Sequence, residues 1–147
     1  MLFFVDREFT IPPGAGIGGA PDYSHTTTCQ LPEAVNIFRL GSHTHKRLSR
    51  FEIFGYDGMS PSTRLYENTD WHSPKELSYP DGAPLQVSAD EGFSFTCLWF
   101  NETANPIEFG ASVEDEMCIM GAGYYPRIEG PLSLGGVVFC LNGTIYY

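Results

Sequence analysis

The sequence predicts an all-β protein, an antiparallel β-sandwich or jelly roll. The 147 residues include 16 Gly and 11 Pro, which interrupt regular structure at short intervals. Aromatic residues, which favour strands, make up 14% of the chain. The apolar runs are short, lie between turn residues and show no long helical period. Short strands at this spacing are typical of sandwiches and jelly rolls.

Each predicted strand is bounded by turn residues. The first ends at Pro12-Pro13-Gly14, and residues 14–21 form a loop. Residues 50–56 alternate polar and apolar, as a half-buried strand does, and residues 93–100 are apolar enough to lie inside a sheet. Residues 115–118 come nearest to a helix but are also predicted as strand. The predicted strands cover residues 8–11, 26–30, 35–40, 50–56, 84–87, 93–100, 116–125 and 134–141.

Length and charge limit the classes of protein. Residues 1–147 are predicted to form a single domain with a core of its own. A net charge of −10 argues against binding to nucleic acid or to an anionic membrane surface. A membrane span is not expected, because no apolar run reaches 18 residues. Residues 1–5 are too short for a signal peptide, so we expect a chain cut from a longer one or deprived of its leader.

The four cysteines lack CxxC spacing, which argues against a zinc knuckle or a thioredoxin-type motif. Cys29, Cys97, Cys118 and Cys140 allow three pairings. Two disulfides in an exported domain are the favoured interpretation, and four reduced core thiols are the alternative. The sequons at Asn101 and Asn142 are compatible with export. We therefore expect a secreted, periplasmic or otherwise oxidising location.

The triplet His43-Thr44-His45 is the first candidate for a metal site. On a strand, side chains one residue apart project from the same face, so the two imidazoles come within reach of one ion. Imidazole suits zinc, copper, iron and nickel, although two polar residues on a solvated face give the same pattern.

Four residues are candidates for the third ligand. His25 and His72 lie in polar, loop-like stretches. Cys118, if reduced, would suggest a blue-copper centre, and Met117 offers a soft thioether that favours Cu(I). Met117 is equally suited to filling a gap in the core.

Other enzyme classes receive little support. The sequence has neither a GxSxG elbow nor a recognisable Cys-His signature, and no GxGxxG or phosphate loop follows a strand. A carboxylate pair for glycoside hydrolysis is compatible with 18 acidic residues, but nothing selects one pair.

The chain resembles the C-terminal, methionine-ligated copper domain of the copper type II, ascorbate-dependent monooxygenases. A lone HxH is a weak signal, whereas HxH, Asp-Glu-Met-Cys and Tyr-Tyr-Pro in this order are specific. The resemblance runs over most of the chain. The matching segments are Phe9-Thr10-Ile11-Pro12-Pro13-Gly14, Cys29, His43-Thr44-His45, Phe95-Thr96-Cys97 with Asn101-Glu102-Thr103, Glu114-Asp115-Glu116-Met117-Cys118, Tyr124-Tyr125-Pro126 and Cys140.

This resemblance implies one copper ion per chain, held by His43, His45 and Met117. In the family this copper activates dioxygen, and a C–H bond of a small organic substrate is hydroxylated beside it. The resemblance also implies the disulfides Cys97–Cys118 and Cys29–Cys140, and an antiparallel jelly-roll sandwich.

The chain departs from the family pattern in three places. The family enzymes have a preceding domain with a second copper on three histidines, for which these residues leave no room. The peptide-hydroxylating members hold a substrate carboxylate with an arginine two residues before the first histidine, where this chain has Gly41. Arg39 lies two residues further back and therefore farther from the metal. Peptidylglycine is for this reason not the expected substrate. Lys46-Arg47 replaces a family glycine, so we expect a different local turn.

Three functions follow from these observations. The first is the copper domain of a copper-dependent monooxygenase, incomplete without a second copper domain upstream or in another chain. The second is a non-catalytic module that binds copper or another ligand. The third is a sandwich that only binds other proteins, which would not need His43, His45 and Met117 together.

Overall fold

The computed structural model describes residues 1–130 and 136–147, and these residues form strands and no helix. The prediction of an all-β sandwich is confirmed. The strands of the described residues are β1 (Leu2–Asp6), β2 (Thr10–Ile11), β3 (Tyr23–Gln30), β4 (Val35–His43), β5 (Leu48–Tyr56), β6 (Pro61–Asn68), β7 (Leu77–Ser78), β8 (Leu85–Val87), β9 (Gly92–Trp99), β10 (Ile107–Glu108), β11 (Cys118–Tyr125), β12 (Val138–Leu141) and β13 (Thr144–Tyr146).

Two main sheets carry the fold. The larger has the order β13-β12-β1-β11-β4-β7, with β8 also paired to β4, and the smaller has the order β3-β9-β5-β6. Strands β2 and β10 form a separate pair. Among the named strands, pairing is antiparallel apart from β1 and β12, which run parallel.

The core lies between the inner faces of these sheets. Phe4 of the larger sheet packs against Phe93 and Phe95 of the smaller one, with ring centroids 6.1 and 6.5 Å apart. All three rings are fully buried. In β1, for example, Leu2 and Phe4 are buried in this core, whereas Phe3 and Val5 between and after them are only partly buried.

Both disulfides join the two sheets. Cys29 of β3 is bonded to Cys140 of β12, and Cys97 of β9 is bonded to Cys118 of β11. These are the pairs that the resemblance implies, and all four cysteines are used. The second disulfide fixes the start of β11 against the core.

Several strand boundaries differ from the predicted ones. Residues 1–5, considered above only as a leader, lie mostly within β1 in the middle of the larger sheet. Of residues 8–11, only Thr10–Ile11 is strand. Strand β6 was missed because it is an edge strand with polar residues and a proline at its start, a sequence that looks like a turn. Of the predicted strand 134–141, positions 134 and 135 lie outside the described residues.

Candidate metal centre

The ladder between β4 and β11 brings the two conspicuous motifs together. His43 pairs with Ile119, and Gly41 pairs with Gly121. Cys118 and Met120 are buried in the core, so Met117 and Ile119 project from the opposite face. Extending the register by two residues sets Met117 opposite His45. The sheet thus brings the backbone of the HxH segment beside that of the Met-Cys segment.

The two imidazoles lie close together. Their ring centroids are 5.4 Å apart and their planes are nearly perpendicular, at 89°. Thr44, between them, and His45 are buried, whereas His43 lies at the outer face and is only partly covered. Partial burial, together with the neighbouring His45, lowers the pKa of His43. Both effects favour the neutral imidazole, which is the form that binds a metal.

A hydrogen bond defines the tautomer of His45. Its Nδ1 lies 3.1 Å from the carbonyl oxygen of Asp115. A carbonyl only accepts, so Nδ1 carries the proton and the lone pair of Nε2 is free for a metal. A free Nε2, a neutral His43 and the thioether of Met117, which the extended register sets opposite His45, are donors of the types that fit Cu(I).

A buried carboxylate holds the backbone that carries His45. Glu116 accepts hydrogen bonds from the backbone N–H of His45 (3.0 Å) and of Arg47 (2.7 Å). The side chain is fully buried. Burial raises the pKa of Glu116, and these N–H groups oppose that shift.

Arg47 holds the same segment from its other side. Its guanidinium is buried and donates to the carboxylate of Glu102 at 3.2 Å and to the carbonyl of Glu114 at 2.8 Å. Neither Arg47 nor Glu116 was a predicted site residue. The signals in the sequence were the unusual Lys46-Arg47 pair and the acidic cluster before Met117.

The other candidate ligands have other partners. His25 is part of β3, not of a loop, and its Nε2 lies 3.1 Å from Asp6 Oδ1. His72 packs against Trp71, and Cys118 is in a disulfide. Within residues 1–130 and 136–147, no three His, Cys, Asp or Glu side chains are grouped to hold a metal. The thioether of Met117 is a ligand of a type outside these four.

A cavity of about 240 Å³ opens beside His43 on the outer face of the larger sheet. Gly41 and Gly121 face each other across its floor, and Phe3 and Ile119 add apolar surface. No atom of the described residues lies within 4 Å of a Cβ built on Gly121. The floor of the cavity is therefore open backbone next to a candidate ligand.

The rim of this cavity is charged and is tied to β6. Arg39 lines the cavity and its Nη1 lies 3.5 Å from Glu76 Oε2. The Tyr66 hydroxyl donates to the carbonyl of Lys75 at 2.5 Å and lies 3.1 Å from Ser42 Oγ. Ser42 precedes His43, so this network links the rim to the histidine strand.

The two sequons differ in accessibility. Asn101 is fully buried, and its amide donates to the carbonyls of Ile11 and Asn105. A glycan on this nitrogen is incompatible with the folded chain. Asn142 occupies the turn between β12 and β13 and donates to Glu8 Oε1 at 2.9 Å.

Together, the fold and the site define a β-sandwich protein with a histidine pair at the end of a central strand. The sequence model of the C-terminal domain of copper type II ascorbate-dependent monooxygenases matches residues 4–133. The chain therefore belongs to this family, as its motifs predicted. Among curated proteins, none matches the chain.

The family is copper-dependent, and its enzymes are oxidoreductases that use dioxygen and a substrate. The two disulfides fit an oxidising compartment. No helix of the described residues is long and apolar enough to span a membrane.

Proposed function

We propose that this chain is the oxygen-binding copper domain of a copper-dependent monooxygenase and holds one copper ion with His43, His45 and Met117. The observation that carries the proposal is the histidine pair, with ring centroids 5.4 Å apart and Nδ1 of His45 bonded to the Asp115 carbonyl. When bound, copper on such ligands supplies the redox chemistry that activates dioxygen for C–H hydroxylation. We further propose that residues 1–147 act as one domain in a secreted, periplasmic or otherwise oxidising location.

Each ligand has a separate physical support. The Asp115 carbonyl orients the ring of His45, and partial burial favours neutral His43. The Cys97–Cys118 disulfide holds the residue next to Met117 against the core. Two imidazoles and one thioether leave coordination positions open, as a catalytic metal requires.

The cavity beside His43 is the proposed binding place for a small organic substrate. Its floor at Gly41 and Gly121 has no side chains, so a substrate can lie close to the sheet next to His43. Gly41 stands where the peptide-hydroxylating members have arginine, which argues against a substrate held by its carboxylate at that position.

Titration of the copper-free chain with Cu(I) against a chelator of known affinity tests the ligand set. We expect one tight equivalent. His43→Ala and Met117→Ala should each weaken binding by more than the roughly 10- to 100-fold that loss of a supporting partner costs. His72→Ala and the exposed Met59→Ala are the matched controls and should bind like the unchanged chain.

Two results would separate the alternatives. Unchanged Cu(I) binding in His43→Ala would show that the metal assignment is wrong. Tight binding that never supports hydroxylation, even with a second copper domain and ascorbate present, would favour a non-catalytic copper module.

A further inference from the structure

We propose that Glu116 is a positioning residue that sets the spacing of His45 and Met117 by clamping the backbone of the HxH segment. This inference rests on the proposed function, because it assigns a role to a residue supporting the proposed ligands. Glu116 makes no hydrogen bond to either imidazole or to the thioether of Met117. It acts through the chain that carries them.

The hydrogen bonds of Glu116 begin where the ladder between β4 and β11 ends. The paired residues of β4 and β11 stop at His43 and Ile119, so His45 and Met117 lie beyond the ladder. There, Glu116 Oε2 accepts the N–H of His45 at 3.0 Å and Oε1 accepts the N–H of Arg47 at 2.7 Å. One carboxylate thus replaces the interstrand hydrogen bonds that a longer ladder would have made.

Glu116 is itself held firmly. Its backbone N–H donates to the Glu108 carbonyl at 3.1 Å, and its carbonyl accepts from the N–H of Gly110 at 3.2 Å. The side chain is fully buried, so water does not compete for its oxygens. Since Met117 is the next residue, a shift of the His45 backbone relative to Glu116 changes the separation of the two proposed ligands.

The neighbouring residues show why a carboxylate is needed. The two N–H groups come from alternate residues of one segment, and each requires an acceptor. A glutamine side chain offers one carbonyl oxygen and turns an NH₂ group towards the second N–H. Glu116→Gln therefore removes half of the clamp with little change in side-chain volume.

Cu(I) affinity and X-ray absorption test the proposal directly. We expect Glu116→Gln to weaken Cu(I) binding by about 10- to 100-fold, the usual cost of losing an outer-shell partner. We also expect a reduced sulfur contribution in the absorption spectrum of the copper-loaded variant. Glu33→Gln, an exposed substitution of the same type, is the control and should change neither measurement.

Amide hydrogen exchange on the unchanged, copper-free chain gives a second test that needs no variant. The N–H groups of His45 and Arg47 should be protected although both residues lie outside the strands. Rapid exchange of both, or a Glu116→Gln protein with unchanged affinity and sulfur scattering, would overturn the clamp. Failure of the unchanged chain to bind Cu(I) would overturn the proposed function, while the exchange measurement would still test the clamp.

Discussion

Thr44 separates the two histidines, and its side chain points the other way. It is 2% exposed, and its hydroxyl has no hydrogen-bond partner among the described residues. Burying such a hydroxyl costs free energy, because the bonds to water are lost and not replaced. The two imidazoles and the hydroxyl thus lie on opposite faces of one short segment.

Replacing Thr44 by valine should stabilise the protein. The methyl group has nearly the same volume and no unmet hydrogen bond, so we expect the free energy of unfolding to rise by about 1 kcal/mol. Urea denaturation measures this change. Cu(I) affinity should stay the same, and a loss of affinity would contradict the assignment of Thr44 to the inner face.

His25 shows what residue types alone do not reveal. Its polar surroundings in sequence predicted a loop, but β3 pairs along its whole length with β9, from Tyr23 opposite Trp99 to Gln30 opposite Gly92. Asp6, in the other sheet, has a buried carboxylate that accepts a hydrogen bond from the Thr27 hydroxyl and lies 3.1 Å from Nε2 of His25. The partner that fixes His25 lies in another strand and leaves no signal near residue 25.

At the scale of elements, the strands β4 and β11 and two disulfides position the candidate site. The Cys97–Cys118 disulfide closes a sequence separation of 21 residues next to Met117, whereas Cys29–Cys140 closes one of 111 residues away from the ladder. Removing each disulfide in turn therefore allows its effect on stability to be compared with its effect on metal binding.

Removal of each disulfide by paired alanine substitutions should affect stability and copper differently. The loop-entropy relation gives a loss of about 3.3 kcal/mol for Cys97→Ala/Cys118→Ala and about 4.8 kcal/mol for Cys29→Ala/Cys140→Ala. Only the first pair adjoins Met117, so only the first should also weaken Cu(I) binding. We would measure unfolding by denaturant and affinity at a temperature where both variants are folded.

The opposite ranking of the two variants in Cu(I) affinity would contradict this account. It would mean that the bond between β3 and β12 supports the site more than the bond next to Met117 does.

Prediction of the elements succeeded where the hydrophobic pattern was strong. Residues 50–56 alternate polar and apolar and residues 93–100 are strongly apolar, and β5 and β9 lie there, paired in the smaller sheet. Strands β6 and β13 were missed because each is at a sheet edge and carries polar or exposed residues. Strand β6 is buried only near its end, and β13 has no buried residue, so the hydrophobic pattern of both sequences is weak.

At the scale of the whole molecule, the proposed copper ion limits the supply of electrons. In its reduced form, Cu(I), it can donate one electron. Hydroxylation of a C–H bond with reduction of the second oxygen atom to water takes two electrons from outside the substrate. A chain with one copper therefore depends on another donor for each turnover. This electron count is the physical reason for proposing a second copper domain as its partner.

The copper-loaded chain of 147 residues should accordingly fail to turn over by itself. With ascorbate and a candidate substrate, we expect oxygen uptake no faster than that of the His43→Ala protein, measured with an oxygen electrode. Hydroxylated product should form only when a second copper domain is supplied. Sustained ascorbate-driven product formation by the chain alone would contradict this expectation.

The sequence by itself determined the fold class, the family and the two motifs that matter, His43-Thr44-His45 and Met117-Cys118. Those features are local: they depend on side-chain alternation, on turn residues and on the order of specific segments. The tertiary structure alone decided how far apart the histidine rings lie, that Glu116 and Arg47 hold the segment after β4, and that a cavity opens over Gly41 and Gly121. The Glu116 and Arg47 contacts and the cavity floor depend on residues about 70 to 80 positions apart, which the pairing of β4 with β11 inside the larger sheet brings together and which no local pattern predicts.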